Sequence, residues 1–257
     1  MSRHARHRQN DHTKASKFKW TLWHMETANR TTRLREPIAD SPADRAQALA
    51  MFDVSRETSL RLDLFVKLLL AAQRHTNLIS RSSIPSLWTR HIADSLQLLA
   101  LVTPPAGTPP VWLDLGSGGG FPGVVLACAL ADIPGACVHL IESNAKKAAF
   151  LRDAVRETST PAIVHLGRIE ALGGTNLGSA ADVITARAVA PLRQLCDLIA
   201  PILKKGAQAL LPKGQDLDTE LTEATKYWSI DAEIVPSKTS PTGRILVVRG
   251  LTRRKKS

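Results

Sequence analysis

The chain has 257 residues, 44% of them hydrophobic and 22% charged, which is enough to bury the core of one or two domains. Its formal net charge is +11, but residues 1–36 hold nine Lys/Arg against three acids and residues 250–257 add four cations, leaving only about +1 between them. No run reaches the length of a membrane span, Leu62–Ala72 being broken by Asp63 and Lys67, and the first residues carry no apolar segment of the kind a secretory signal needs. Cys128, Cys137 and Cys196 lack CxxC spacing and read as reduced residues of a cytosolic protein.

In chain order, residues 1–40 have no sustained period and read as a disordered basic extension, with Trp20 and Trp23 as a local contact at most. Basic tails draw phosphate at long range, which suits an RNA partner without identifying one. Residues 41–102 read as a helical segment packed on the core. The pattern turns helical from Asp44 to Arg74, with Leu60, Leu64, Leu68 and Ala71 on one stripe. Asn77 breaks the run. A second helix starts near Ser83, holds Pro85 in its first turn and continues through Leu99, carrying Trp88, Ile92, Leu96 and Leu99 on one side. Residues 103–110 hold four prolines and a glycine and read as a linker.

From Val111 to residue 249 strands and helices alternate. Strands are expected at Val111–Leu113, Cys137–Ile141, Ala162–Leu166, Asp182–Ala186 and Ala207–Leu211, and helices at Ala145–Glu157, after Pro191 and at Asp216–Lys226. Ile230–Val235 and Arg244–Val248 pair as a closing antiparallel hairpin, and residues 250–257 form a basic tail. Alternation of this kind predicts an α/β fold, a doubly wound Rossmann-like sheet with its ligand beyond the strand ends.

The segment VWLDLGSGGGFPG, Val111 to Gly123, organises the rest: a buried strand, a tight turn and a helix start. Two ligands compete for it. Gly118 to Gly123 spells G-x-G-x-x-G, the dinucleotide fingerprint. Against that reading, Asp114 would face a pyrophosphate with like charge, and Pro122 removes an N–H donor. S-adenosylmethionine carries a sulfonium and an ammonium and no phosphate, so an acid beside the loop favours it. Glu142, 28 residues after Asp114, stands where a carboxylate accepts both ribose hydroxyls. Arg187 follows the fourth strand, where its guanidinium suits a methionine carboxylate or an RNA phosphate. Arg90, His91 and Asp94 fall within one helical turn and form either a polar cluster over the loop or an ordinary i,i+4 surface pair. Lys213 ends the fifth strand, facing RNA or simply solvent. The histidines suggest no metal site, since no second ligand stands at a fitting spacing.

Several motifs in register, NLIS at Asn77, RHIADS at Arg90, DLGSGGGFPG at Asp114, IESNAKKAAFL at Ile141, GRIEAL at Gly167, ITARAVAPL at Ile184, KGQ at Lys213 and GRILVV at Gly243, make the chain resemble the bacterial 16S rRNA (guanine-N7) methyltransferase family called RsmG or GidB. The similarity runs from about Asp44 to Gly250. It implies a class I methyltransferase fold with a mostly parallel seven-stranded sheet, S-adenosyl-L-methionine as cofactor, and one guanosine in the decoding region of 16S rRNA, in the small ribosomal subunit, as acceptor. It also implies a cofactor site drawn from Asp114, Gly116, Gly118, Phe121, Glu142, Ile169, Glu170 and Arg187. RNA contacts are expected from Arg90, His91, Lys213 and Arg244, with Arg187 and Asp94 positioning the reactants and no residue acting as acid or base. Guanine N7 has an in-plane lone pair and no proton to lose, so alignment and electrostatics suffice. The protein is expected to be a cytoplasmic monomer. Methylation of another RNA or of a small molecule is the alternative. An NAD-dependent oxidoreductase and a non-catalytic RNA-binding module are the competing classes, the last disfavoured by an aromatic content of only 4%.

Overall fold

A computed structural model describes residues 39–102 and 109–255, so the extension up to residue 38, the linker residues 103–108 and residues 256–257 lie outside the described residues. Within them the helical pattern from Asp44 to Arg74 divides in two. Helix α1, Pro42–Ala50, is capped by the Ser41 hydroxyl, which accepts from the Asp44 N–H at 3.3 Å. Helix α2, Arg56–Ala72, is capped by Ser55 accepting from the Thr58 N–H at 3.0 Å. Ser55 takes the extended backbone of an N-cap, and this ends the continuity that periodicity alone suggests.

The buried face of α2 differs from the expected stripe. Leu62, Phe65, Val66, Leu69 and Leu70 are buried, whereas Leu60 is 57% exposed and Leu64 36%. The helix is apolar on more than one side, so spacing alone selects no face; packing against the rest of the fold does. The next helical run, 81–101, is also less regular than expected. It passes from a 3-10 segment, Arg81–Ser86, through an i→i+5 segment, Trp88–Ala93, and one α turn, Asp94–Leu96, to a second 3-10 segment, Gln97–Leu101. Trp88, Ile92 and Leu96 are buried as expected. Asp44 of α1 fixes the start of the i→i+5 segment, taking the N–H groups of Trp88 at 2.7 Å and Thr89 at 3.2 Å.

The sheet comprises β1 Val111–Leu115, β2 Cys137–Glu142, β3 Ala162–Leu166, β4 Val183–Ala186, β5 Gln208–Lys213, β6 Trp228–Pro236 and β7 Arg244–Arg253. Their order is β3-β2-β1-β4-β5-β7-β6, with β1 to β5 parallel and β7 antiparallel to both β5 and β6. This is the class I methyltransferase arrangement, and it reverses between β1 and β4, the switch point at which such sheets bind ligands. Helices α3 Gly123–Leu130, α4 Ala145–Thr158, α5 Asn176–Ala180, α6 Leu192–Ile199 and α7 Leu217–Ala224 complete it. Alternate strand residues such as Leu113, Ile184, Leu211 and Leu246 join α6 and α7 in one apolar core.

The basic tail begins later than expected. Strand β7 continues to Arg253, opposite Trp228, with a register shift at Asp231/Ala232 after which the pairing to β6 resumes. Arg253 covers the Trp228 ring at 5.4 Å. No helix among the described residues is long and apolar enough to cross a membrane.

The two faces of α2 give the first test. Leu62→Ala should lower the unfolding free energy by roughly 2–5 kcal/mol, as for a buried leucine, and Leu60→Glu should stay within about 0.5 kcal/mol. Urea midpoints decide; equal losses would return Leu60 to the core.

Candidate functional site

The carboxyl ends of β1, β2 and β4 meet around the glycine turn. Gly116 stands at φ +66, and a Cβ there would come 2.8 Å from a Val189 methyl in the segment after β4, so only glycine fits both the conformation and the approach. Asp114 is 1% exposed. One carboxylate oxygen accepts from Thr185 Oγ1 at 2.7 Å and the other from the Gly123 N–H at 3.2 Å. Burial pushes its pKa up to about 6 against these hydrogen bonds, which favour the charged form. Asp114 thus tethers the start of α3 and the neighbouring strand β4, and its reach is spent inside the protein.

Glu142 closes the turn from the β2 side. Its oxygens accept from the N–H groups of Gly118 at 2.8 Å and Asn144 at 2.7 Å, and the residue is 7% exposed. Each oxygen retains a lone pair for a further donor. Phe121 is buried between two rings, stacked on His91 at 4.8 Å and tilted against Phe65 at 5.4 Å. Ile169 is half-buried against the apolar core and Glu170 is exposed beside it, both in a 3-10 turn after β3.

Arg187 joins the sheet to the irregular helical run. Its Nη1 lies 2.9 Å from His91 Nδ1, its Nη2 donates to the Arg90 carbonyl at 2.8 Å, and its Nε stands 3.4 Å from Asp94. Burial draws its pKa down, with Asp94 opposing. Of five guanidinium N–H groups, three are engaged and two remain for a ligand. Arg187 can only donate, so His91 Nδ1 accepts, and His91 Nε2–H donates to Ser83 Oγ at 2.9 Å. Burial and the neighbouring Arg187 and Arg90 hold the His91 pKa down to about 3. Both ring nitrogens are occupied, so the expected RNA contact from His91 gives way to a bracing part. Of the two readings of Arg90, His91 and Asp94, the i,i+4 surface pair does not form: Asp94, in a run with an i→i+5 segment, faces Arg187, which also meets His91.

A cleft of about 840 Å³ opens beyond Arg187, between the segment 187–191, the end of β5 and the β6–β7 turn. Arg90, Asp94, Lys213, Glu220 and Arg244 line it. Lys213 is mostly buried and pairs with Glu220 at 2.7 Å, and Arg244 holds Asp218 through two contacts of 2.9 and 3.0 Å. Of the cations expected to meet RNA, Arg90 alone is exposed with no carboxylate partner among the described residues. Gln97 was not expected. It is 3% exposed, takes the Lys238 N–H at 2.9 Å, and donates to Ser237 Oγ at 3.2 Å and to Asp94 at 2.8 Å, while Thr239 Oγ1 donates to Asp94 at 2.8 Å. These bonds fasten the β6–β7 turn over the cleft. The only signal in the sequence was one amide among leucines, Leu96-Gln97-Leu98.

None of the three cysteines lines this cleft. Cys128 and Cys196 are buried in α3 and α6, with thiols pushed up to about 12 and about 11 mainly by burial, and Cys137 opens β2 at the opposite end from Glu142. Among the described residues no group of three His, Cys, Asp or Glu is placed to hold a metal.

Comparison with known proteins gives concordant matches. A family model described as GidB, rRNA small subunit methyltransferase G, matches residues 59–248. Two relatives carry the name ribosomal RNA small subunit methyltransferase G. That of Bradyrhizobium sp. (strain BTAi1) is 56% identical over 206 residues, covering 80% of this chain and 90% of its own. That of Nitrobacter hamburgensis is 54% identical over 234 residues, covering 88% and 86%.

The His91 arrangement makes stability depend on pH with a definite sign. A histidine whose folded pKa lies below its ordinary 6.5 contributes its full stability above that value and loses it as pH falls from about 6.5 toward 3. Wild type should therefore lose more stability than His91→Gln between pH 7.5 and 4.5. Parallel urea-midpoint curves for the two proteins would exclude a neutral, braced His91.

Proposed function

The chain belongs to the GidB family, the rRNA small subunit methyltransferases G, and from that premise we propose that it methylates N7 of one guanine in the decoding region of 16S rRNA, using S-adenosyl-L-methionine. The residues present fit that cofactor. Two carboxylates, Asp114 and Glu142, underlie the glycine turn, which suits a cationic ligand with a ribose diol and repels a pyrophosphate. On this reading Gly116, Gly118 and Phe121 line the methionine side, Glu142 accepts from the ribose, Ile169 and Glu170 border the adenine, and Asp114 holds the turn from beneath. Arg187 positions the reactants with its two remaining N–H groups.

The observation that carries the choice of N7 is the state of the acids at the cleft. Asp94 is engaged by Thr239, Gln97 and Arg187, and Glu220 by Lys213 and the Leu192 N–H, so neither stands free as a base. N7 needs none. Held by the glycine turn and Glu142, the cofactor would supply a methyl group on a sulfonium, which a lone-pair acceptor such as N7 would take without losing a proton. What the chain provides is alignment. Misplacement of about 1 Å is worth on the order of a hundredfold in rate, which gives the Arg187 brace and the Gln97 fastening their importance. The enzyme acts as a cytoplasmic monomer on small subunits.

The direct test is to incubate unmodified small subunits with the protein and labelled cofactor and to map the product. A single N7-methylguanosine in the decoding region is expected, and methyl label elsewhere would overturn the assignment. Glu142→Ala should weaken cofactor binding about ten- to a hundredfold, the worth of a charge-assisted hydrogen bond of roughly 1.5–3 kcal/mol, as read by calorimetry. Replacing Cys128, Cys137 and Cys196 by Ala should leave single-turnover methylation within a fewfold of wild type. A folded but inactive triple variant would point to thiol chemistry instead.

A further inference from the structure

A second cleft, of about 570 Å³, lies outside the cofactor and acceptor sites, in the connection between α2 and the helical run, lined by Gln73, Arg74, His75, Asn77, Ser80 and Arg81 among others. We infer that this cleft binds a phosphodiester of the rRNA backbone through Arg74 and Arg81, at a place separate from the target base. The inference rests on the proposed function and adds a substrate contact to it.

Charge is the first ground. Residues 64–93 contain Lys67, Arg74, Arg81 and Arg90 and no Asp or Glu. Arg74 and Arg81 are exposed and face no carboxylate among the described residues, as is true of Arg56, Arg90, Arg152, Arg168 and Arg254, but Arg74 and Arg81 line the same cleft within this acid-free stretch. Compensation of a helix dipole accounts for only part of this. Arg74 and His75 follow the carboxyl end of α2, where cations are favoured, but Arg81 begins the 3-10 segment, the end at which they are not.

Rigidity is the second ground. Gln73 is 5% exposed; its side-chain oxygen takes the N–H groups of Leu78 at 2.8 Å and Ile79 at 3.1 Å, and its amide donates to the Ile79 carbonyl at 2.7 Å. One buried side chain therefore fixes the loop that carries both arginines, lowering the ordering cost of binding. The same loop is seated on the cofactor turn, since the Leu78 carbonyl would lie 2.9 Å from a Cβ at Gly119. Ser83, two residues beyond Arg81, receives the His91 hydrogen bond that leads to Arg187. The cleft therefore has a fixed position relative to the reacting edge. Its chemistry fits a backbone more than a base: guanidinium, hydroxyl and amide donors line it, with no aromatic platform other than His75.

The test compares Arg74→Ala/Arg81→Ala with Arg74→Lys/Arg81→Lys, using small subunits and, for binding, protein-free 16S rRNA. The alanine pair should raise KM for subunits about tenfold, weaken rRNA binding similarly, and flatten the salt slope by about 2, one for each lost phosphate contact. Turnover at saturation and cofactor affinity should not change, and the lysine pair should recover most of the slope. Unchanged KM and slope would overturn the inference, as would a fall in cofactor affinity, which would make the arginines structural. A KM effect on subunits with unaltered rRNA binding would assign the cleft to a ribosomal protein and overturn it equally. Failure of wild type itself to methylate small subunits would count against the proposed function and not against the cleft alone.

Discussion

The site depends on one planar cation held between two parts of the fold. Arg187 leaves the end of β4 and meets, from the helical run, a histidine nitrogen, a backbone carbonyl and a carboxylate. A guanidinium suits this position because its donors are fixed in one plane and its charge survives burial. A lysine would offer a point charge and could not hold three acceptors in that geometry. The contact also sets the His91 tautomer, and through the stacked Phe121 ring it braces the glycine turn from its outer side.

A second layer of the same design uses buried polar groups as fasteners. Asp114 links β1 to β4 and to the first turn of α3; Glu142 links β2 to the glycine turn; Gln73 and Gln97 hold the loops that flank the reacting edge. Each is nearly inaccessible and each is hydrogen-bonded, the condition under which a buried polar group specifies a conformation without a large desolvation cost. Asp114 still bears a cost, visible in its raised pKa, and the two groups that titrate oppositely, Asp114 and His91, lie on either side of the same turn. The edge is held by hydrogen-bonded side chains, and the acids that line its cleft, Asp94 and Glu220, are paired.

The charge distribution acquires a meaning from this arrangement. Most arginines of the core are held in ion pairs, which contribute little net field. Among the described residues Arg56, Arg74, Arg81, Arg90, Arg152, Arg168 and Arg254 face no carboxylate, and four of the seven belong to the segment ahead of the sheet, so this segment braces the site and also presents cations around it. Conversely Lys213 and Arg244, whose positions at strand ends suggest contact with RNA, are occupied by Glu220 and Asp218.

The sequence by itself determined the order of strands and helices from Val111 onward, the glycine turn and the acid at the end of β2, because these follow from local constraints: apolar runs of strand length, glycines where a side chain does not fit, and a carboxylate at a fixed distance along the chain. The family resemblance supplied the ligand and acceptor. Tertiary structure decided what depends on partners distant in sequence. The burial of Leu62 over Leu60 came from the surface α2 packs against. The extension of β7 to Arg253 came from continued pairing with β6 beyond the register shift at Asp231/Ala232. The internal bonds of Asp114, His91 and Lys213 came from Thr185, Arg187 and Glu220, 71, 96 and 7 residues away. A side chain's chemistry is written in its own position, but whether that chemistry faces a ligand or another residue is fixed only when the fold brings its neighbours in.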